Sequence, residues 1–173
     1  MRFLIILIIS LLPFLTACGS GGSNENSKSS YTAVDSTTIK TINGKKIVVD
    51  KTENGLVFHG YEGKIVLLEV YGDTCPHCIK AIDTYNKLQQ KYKDDVVVIA
   101  LEHYGTLTNA SKQHYITVPK KDTGKVLDYI KSLTGYSGGI VPYLIILDRD
   151  GSVSYTKAVP SADEIEEHIR PLI

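Results

Sequence analysis

Tyr71-Gly72-Asp73-Thr74-Cys75-Pro76-His77-Cys78 joins an almost wholly apolar run, Lys64–Tyr71, to a stretch with helical periodicity, Pro76–Tyr92. A short, uninterrupted run of this kind fits a central strand buried on both faces. Ile79, Ile82, Tyr85, Leu88 and Tyr92 recur at three- and four-residue steps, which places them on one helix face. A Cys-x-x-Cys pair at a strand-to-helix junction reads as a thiol–disulfide redox site. The placement has a physical reason. Cys75 falls at the helix N-terminus, where unpaired N–H groups and the helix dipole favour negative charge. The thiolate is the nucleophilic form of cysteine. Pro76 suits the first helical position, because the N–H it lacks has no partner there. Cys78 falls in the first turn, near enough to close a short disulfide with Cys75.

Downstream, Val96–Leu101 is a second apolar, β-branched run. Since a helix connects it to Lys64–Tyr71, the two strands are expected to run parallel. Glu102–Lys121 is polar and yields no clear element. Val126, Leu127, Ile130 and Leu133 carry helical spacing within Asp122–Leu133, with Gly135 as a stop signal. Tyr143–Leu147 and Ser152–Thr156 flank the turn sequence Asp148-Arg149-Asp150-Gly151. Ser161 and Glu164 form a capping-box pattern ahead of a last helix with Ile165 and Ile169 on one face. Upstream, Ile39–Ile42 and Lys45–Val49 flank Asn43-Gly44, a two-residue hairpin signal, and Leu56–Phe58 is a further short strand. Strand–helix–strand units followed by a hairpin and a helix give an α/β fold: a mixed central sheet flanked by helices, preceded by an N-terminal β-hairpin.

The chain has 173 residues, zero formal net charge, eleven tyrosines and no tryptophan. Nothing basic enough for nucleic acid stands out. Arg2 and the apolar run Phe3–Leu15 read as a secretory signal peptide; the run falls short of the ~20 residues a membrane span needs. Leu15-Thr16-Ala17-Cys18 resembles the bacterial lipobox, which implies cleavage before Cys18 and lipidation of its sulfur. Residues 1–17 are then the signal peptide, 18–36 the lipidated cysteine with a Gly-, Ser- and Asn-rich flexible tether, and 37–173 one domain. With Cys18 acylated, Cys75 and Cys78 are the remaining two of three cysteines. The expected location is the cell envelope, in the periplasm or on the extracytoplasmic face, anchored to the membrane by lipid and in a compartment where disulfides persist.

Over roughly Ile39–Ile173 the chain resembles the thioredoxin superfamily. Cys75–Cys78 at the junction, Val141-Pro142 just before the hairpin strand, and the strand–strand–helix ending carry the match. In that superfamily the matching proline is cis and faces the cysteines. Pro142 lies 64 residues after Cys78 (142 − 78). That spacing, with the N-terminal hairpin, is similar to the membrane-tethered TlpA/ResA branch. The Cys-Pro-His-Cys letters resemble DsbA proteins, a signature of strong oxidants. Glu69, six residues before Cys75, matches a buried acid of the family. Where a tryptophan commonly precedes the first cysteine, this chain has Thr74.

The resemblance implies roles. Cys75 is the exposed nucleophile and Cys78 the resolving thiol. His77, between them, donates a hydrogen bond or positive charge to the Cys75 thiolate. Glu69 exchanges the proton of Cys78, unless it is an exposed or ion-paired edge residue. Pro142 holds the chain open beside the disulfide, and Val141 offers backbone hydrogen bonds to an extended substrate. The implied partners are exported protein thiols or disulfides and a membrane redox partner. No cofactor and no metal is called for. The implied function is a lipid-anchored thiol–disulfide oxidoreductase acting as an oxidant. One alternative is a reductant or isomerase, such as a cytochrome c maturation reductant. Another is a metal-binding lipoprotein in which His59, His103 or His114 completes a zinc site begun by the two cysteines.

Overall fold

A computed structural model describes residues 31–173; the expected signal peptide (1–17) and Cys18 lie outside the described residues. Among the described residues, eight strands and three α-helices follow one another. They are β1 (Asp35–Lys40), β2 (Lys46–Lys51), β3 (Leu56–Phe58), β4 (Ile65–Gly72), α1 (Pro76–Lys91), β5 (Val96–Tyr104), β6 (Ile116–Val118), α2 (Gly124–Thr134), β7 (Tyr143–Leu147), β8 (Val153–Ala158) and α3 (Ala162–Ile169). The strands form two sheets, β1-β2-β3 and β6-β5-β4-β7-β8.

β4 occupies the middle of the larger sheet, parallel to β5 and antiparallel to β7, and all its residues are buried. Its alternate side chains feed two cores. Val66, Leu68 and Val70 join Ile99 and Leu101 against α2 and the small sheet, through Val126, Ile130, Ile47 and Phe58. Ile65 and Leu67 join Val96, Val98, Leu144 and Ile146 against α1 and α3, through Tyr85, Leu88, Ile165 and Ile169. A strand covered on both faces has no use for polar alternation, which is why its sequence is a continuous apolar run. Glu69 is the exception on the α1 face.

The terminators act as their chemistry dictates. Gly135 ends α2 with φ 72°, a left-handed conformation that costs glycine little. The Ser161 side chain accepts from the Glu164 N–H, and the Glu164 carboxylate accepts from the Ser161 N–H, closing the capping box of α3. Gly55 and Gly151 meet where β3 touches the β7–β8 turn, and a Cβ on Gly55 would overlap the Gly151 carbonyl.

Two expectations need correction. The N-terminal hairpin does not turn on two residues: β1 and β2 pair last at Lys40 and Lys46, and the Gly44 N–H bonds to the Thr41 carbonyl. The loop is thus a four-residue turn whose Gly44 takes φ 87°, so Asn43-Gly44 marks the right place but a longer connection. β1 begins at Asp35, ahead of the residue-37 boundary expected between tether and domain, and the Tyr31 hydroxyl already donates to Asp50 at 2.9 Å. The polar segment 102–121 contains β6, an edge strand parallel to β5. Three residues are too few for a period to show.

Candidate active site

The β4–α1 junction builds the site. α1 starts at Pro76 with Cys75 as its N-cap, and the Cys75 Sγ accepts from the Cys78 N–H at 3.4 Å. A cysteine sulfur thus fills the role a Ser or Asp oxygen usually plays at a helix start. No acidic side chain occupies the first turn, so nothing there opposes a negative charge on Cys75. Cys75 is partly exposed and Cys78 is buried, both as free thiols. The Gly72 N–H donates to the Cys78 Sγ at 3.4 Å. Burial pushes the Cys78 thiol pKa upward, only partly offset by that amide.

Gly72 sits close against the pair. A Cβ there would stand 3.4 Å from the Cys75 Cβ, the Tyr104 ring and the Val141 side chain at once. The Val141–Pro142 peptide bond is cis. The Cys75 thiol donates to the Val141 carbonyl at 3.5 Å, and Val141 packs on the cluster of Tyr71, Cys78 and Ala100. Pro142 is buried, and its carbonyl accepts from the Val159 N–H at 2.8 Å. His77 is exposed and shares with Pro142, Tyr85 and Val159 a cleft of about 220 Å³. Among the described residues the hydrogen bond that the Cys75 sulfur accepts comes from the Cys78 amide, and His77 supplies none.

Glu69 lies under the pair, 1% exposed, opposite Ala100 on β5 and Leu144 on β7. The edge-residue alternative therefore fails. Burial, then the neighbouring Cys75, raise its pKa from the ordinary 4.5 to about 8. It is largely a neutral acid at pH 7.

Sequence reasoning missed the support beneath this junction. Asp73, 2% exposed, accepts from the Thr108 N–H at 2.6 Å, the Thr108 hydroxyl, and the Asn109 N–H at 2.9 Å. Burial raises its pKa, but those bonds outweigh it and hold the carboxyl below its usual range. Glu102, also buried, accepts from the Leu107 N–H at 2.9 Å and the Lys120 N–H at 3.0 Å. Together the two acids pin the 105–120 segment behind the cysteines. Asp73 stood in the quoted stretch, but its partners lie 35 residues on, and no local pattern links them. Among the described residues, no three His, Cys, Asp or Glu side chains converge as metal ligands. His59 binds Asp50 at 2.7 Å and His103 packs at a tilt against the Tyr104 ring.

No family model matches the chain. It is 28% identical over 111 residues to the protein disulfide-isomerase of Drosophila melanogaster, covering 61% of this chain but only 21% of that protein. The chain thus spans about a fifth of the length of that relative. A thiol:disulfide interchange protein DsbE from Chlorobium tepidum superposes with a TM-score of 0.59 at 19% identity, over 82% of this chain and 96% of that one. The exposed lipoprotein thioredoxin of Streptococcus pneumoniae gives 0.57 at 18% identity, over 80% and 100%. StoA from Bacillus subtilis gives 0.56 at 16%, over 79% and 97%. With β4 central, a cysteine pair at the start of α1, a cis proline beside it and α1 and α3 on one face, this chain has the thioredoxin-like fold.

Proposed function

We propose that this chain is an exported, lipid-anchored thiol–disulfide oxidoreductase that donates its Cys75–Cys78 disulfide to protein thiols. One observation carries the reading. A partly exposed sulfur caps a helix, and a second sulfur is buried behind it beside a carboxylic acid. That asymmetry separates an attackable sulfur from a resolving one.

As an oxidant, the protein starts with the Cys75–Cys78 bond formed. A substrate thiolate attacks Cys75; the S–S bond breaks, and its electron pair leaves on Cys78. Glu69, neutral at pH 7, gives its proton to the Cys78 sulfur, whose burial disfavours the anion. A second substrate thiolate then attacks the substrate sulfur of the mixed disulfide. The Cys75 thiolate leaves, the substrate is oxidised by two electrons, and both cysteines end reduced. The Val141 carbonyl, beside Cys75, lies where an extended substrate would pair. A membrane redox partner restores the disulfide. No cofactor is required, since the sulfurs carry the electrons. Cys18 holds the domain, whose first strand begins at Asp35, to the extracytoplasmic face through the tether ahead of it, in keeping with the named lipoprotein thioredoxin.

Two measurements test this. Cys78→Ser is expected to trap mixed disulfides through Cys75, and Cys75→Ser to trap none. The Cys75–Cys78 potential against glutathione decides direction. A value toward that of DsbA, about −120 mV, supports donation; one at or below thioredoxin's, about −270 mV, overturns the oxidant and makes the chain a reductant.

A further inference from the structure

We propose that the proton exchanged between Glu69 and Cys78 passes to solvent through a buried polar file of Tyr71, Tyr85, Tyr115 and Gln113, which opens beside β6. The proposal rests on the thiol–disulfide reading and adds the route.

A route is needed because Glu69 is closed off. It must take up a proton from solvent after each donation to Cys78, yet it is 1% exposed beneath the thiols. Among the described residues, Glu69 Oε1, the hydroxyls of Tyr71, Tyr85 and Tyr115, and Gln113 Nε2 are buried polar atoms without a hydrogen-bond partner. Such atoms are rare singly in folded proteins, and here five belong to one neighbourhood. The field of Glu69 reaches all three tyrosines, and Tyr85 and Tyr115 also feel Cys78. Tyr71 faces Glu102 and Asp73 as well. The Tyr85 and Tyr115 rings meet edge-on with centroids 6.1 Å apart. The Gln113 amide lies beside the hydroxyls of Tyr71 and Tyr115.

The sheet register makes the space. Glu69 on β4 is level with Ala100 on β5, and Ala100 with Thr117 on β6. Only the Ala100 methyl group stands between the acid and Thr117 in this row, and Tyr71 and Tyr115 pack with Cys78 on Ala100. The Thr117 hydroxyl donates to Gln113 Oε1 at 2.8 Å. Tyr115 packs on the Cys78 cluster and is partly exposed; with Gln113 and Thr117 it lines a surface cleft of about 570 Å³. The file thus begins at Glu69 and ends at solvent on the side of the sheet edge, away from the exposed face of Cys75. Burial keeps the three phenols neutral, so each hydroxyl can accept one proton and release another.

Tyr115→Phe and, separately, Gln113→Leu are made in the full chain, with urea midpoints recorded to show the fold is kept. Two rates are followed. Attack of the Cys75 thiolate on oxidised glutathione, read as mixed-disulfide formation in a Cys78→Ser background with one glutathione thiolate leaving, needs no proton at Glu69 and is expected unchanged. Closure of the Cys75–Cys78 bond, which removes the Cys78 proton, is expected to slow about tenfold and to show an altered solvent deuterium isotope effect. The S–H to S–D exchange of Cys78, read by infrared in a Cys75→Ser chain, requires no turnover and is expected to slow likewise. Equal slowing of both rates, or S–H exchange as fast as in the parent for both variants, overturns the relay. A wild-type chain that exchanges no disulfides overturns the oxidoreductase reading instead, and S–H exchange then decides the relay alone.

Discussion

Replacing Glu69 by Gln is expected to flatten the pH dependence of stability. Glu69 binds its proton with a pKa of about 8 in the folded chain, against an ordinary 4.5. Between those values the folded protein holds a proton the unfolded chain has released, so stability falls as pH rises. A difference of roughly 3.5 units amounts to about 5 kcal/mol in full. About 3.5 kcal/mol of it falls between pH 5 and pH 8, since some is already expressed at pH 5 and some lies above pH 8. Gln has the same shape and no charge, so it removes this slope. It leaves a buried amide to find partners, a cost of about 1–3 kcal/mol that does not vary with pH. The assay is urea unfolding of both chains at steps from pH 5 to pH 8, with thiols kept reduced. That range stays below the titration of unfolded cysteine, and the histidines cancel between the two chains. With a urea slope of about 1–3 kcal/mol per molar, the midpoint of the Gln variant should rise relative to that of the parent by roughly 1–3 M across the range. Midpoint curves that run parallel would refute the reasoning, because they would mean Glu69 is ionised in the folded state at neutral pH.

Asp73→Asn is expected to lose about 1–3 kcal/mol at pH 7, because the carboxylate accepts from Thr108 and Asn109 and an amide nitrogen cannot. Asp73 sits below its usual pKa, so that contribution is present at neutral pH and lost as pH falls through the folded value. Denaturant midpoints of parent and variant should therefore converge in acid. Leu67→Ala removes a fully buried side chain from the central strand and should cost about 2–5 kcal/mol by the same method. Ser161→Ala breaks the capping box and should cost about 1 kcal/mol, with disulfide exchange unaffected. Gly55→Ala forces a methyl onto the Gly151 carbonyl and should lower the thermal midpoint, whereas the same change at Gly124, where nothing stands within 4 Å, should not.

The local signals in the sequence carried far because local physics governs them. A proline after a cysteine marks a helix start wherever the chain goes, and Ser161 with Glu164 needs only its own first turn to close. The continuous run of β4 marked it as the middle of the sheet, since only a strand covered on both faces drops its polar alternation. What stayed hidden depends on register between distant segments. β6 contributes three residues, and its placement is fixed by pairing with β5 rather than by its own letters. Asp73 and Glu102 read as ordinary acids until the fold brings the amides of residues 107–120 onto them. Gln113 and Tyr115 gain meaning only because Ala100 lies level with both Glu69 and Thr117.

The same register explains why the fold tolerates an acid in its core. Natural domains hold only about 5–15 kcal/mol of net stability, so a carboxyl costing several kcal/mol at alkaline pH is a large concession. Apolar burial around it offsets the cost: Ile65 and Leu67 on its own strand, Leu144 and Ile146 on β7, Val98 on β5 are all fully or almost fully buried. At about 1.5–3 kcal/mol for each such side chain, three neighbours outweigh one desolvated carboxyl. Moving Glu69 one residue along β4 would turn it to the α2 face, into Leu68 and Val70's core and away from Cys78. An acid reaches this pair of thiols only from the α1 face of the central strand, and there burial, with Cys75 beside it, raises its pKa to about 8.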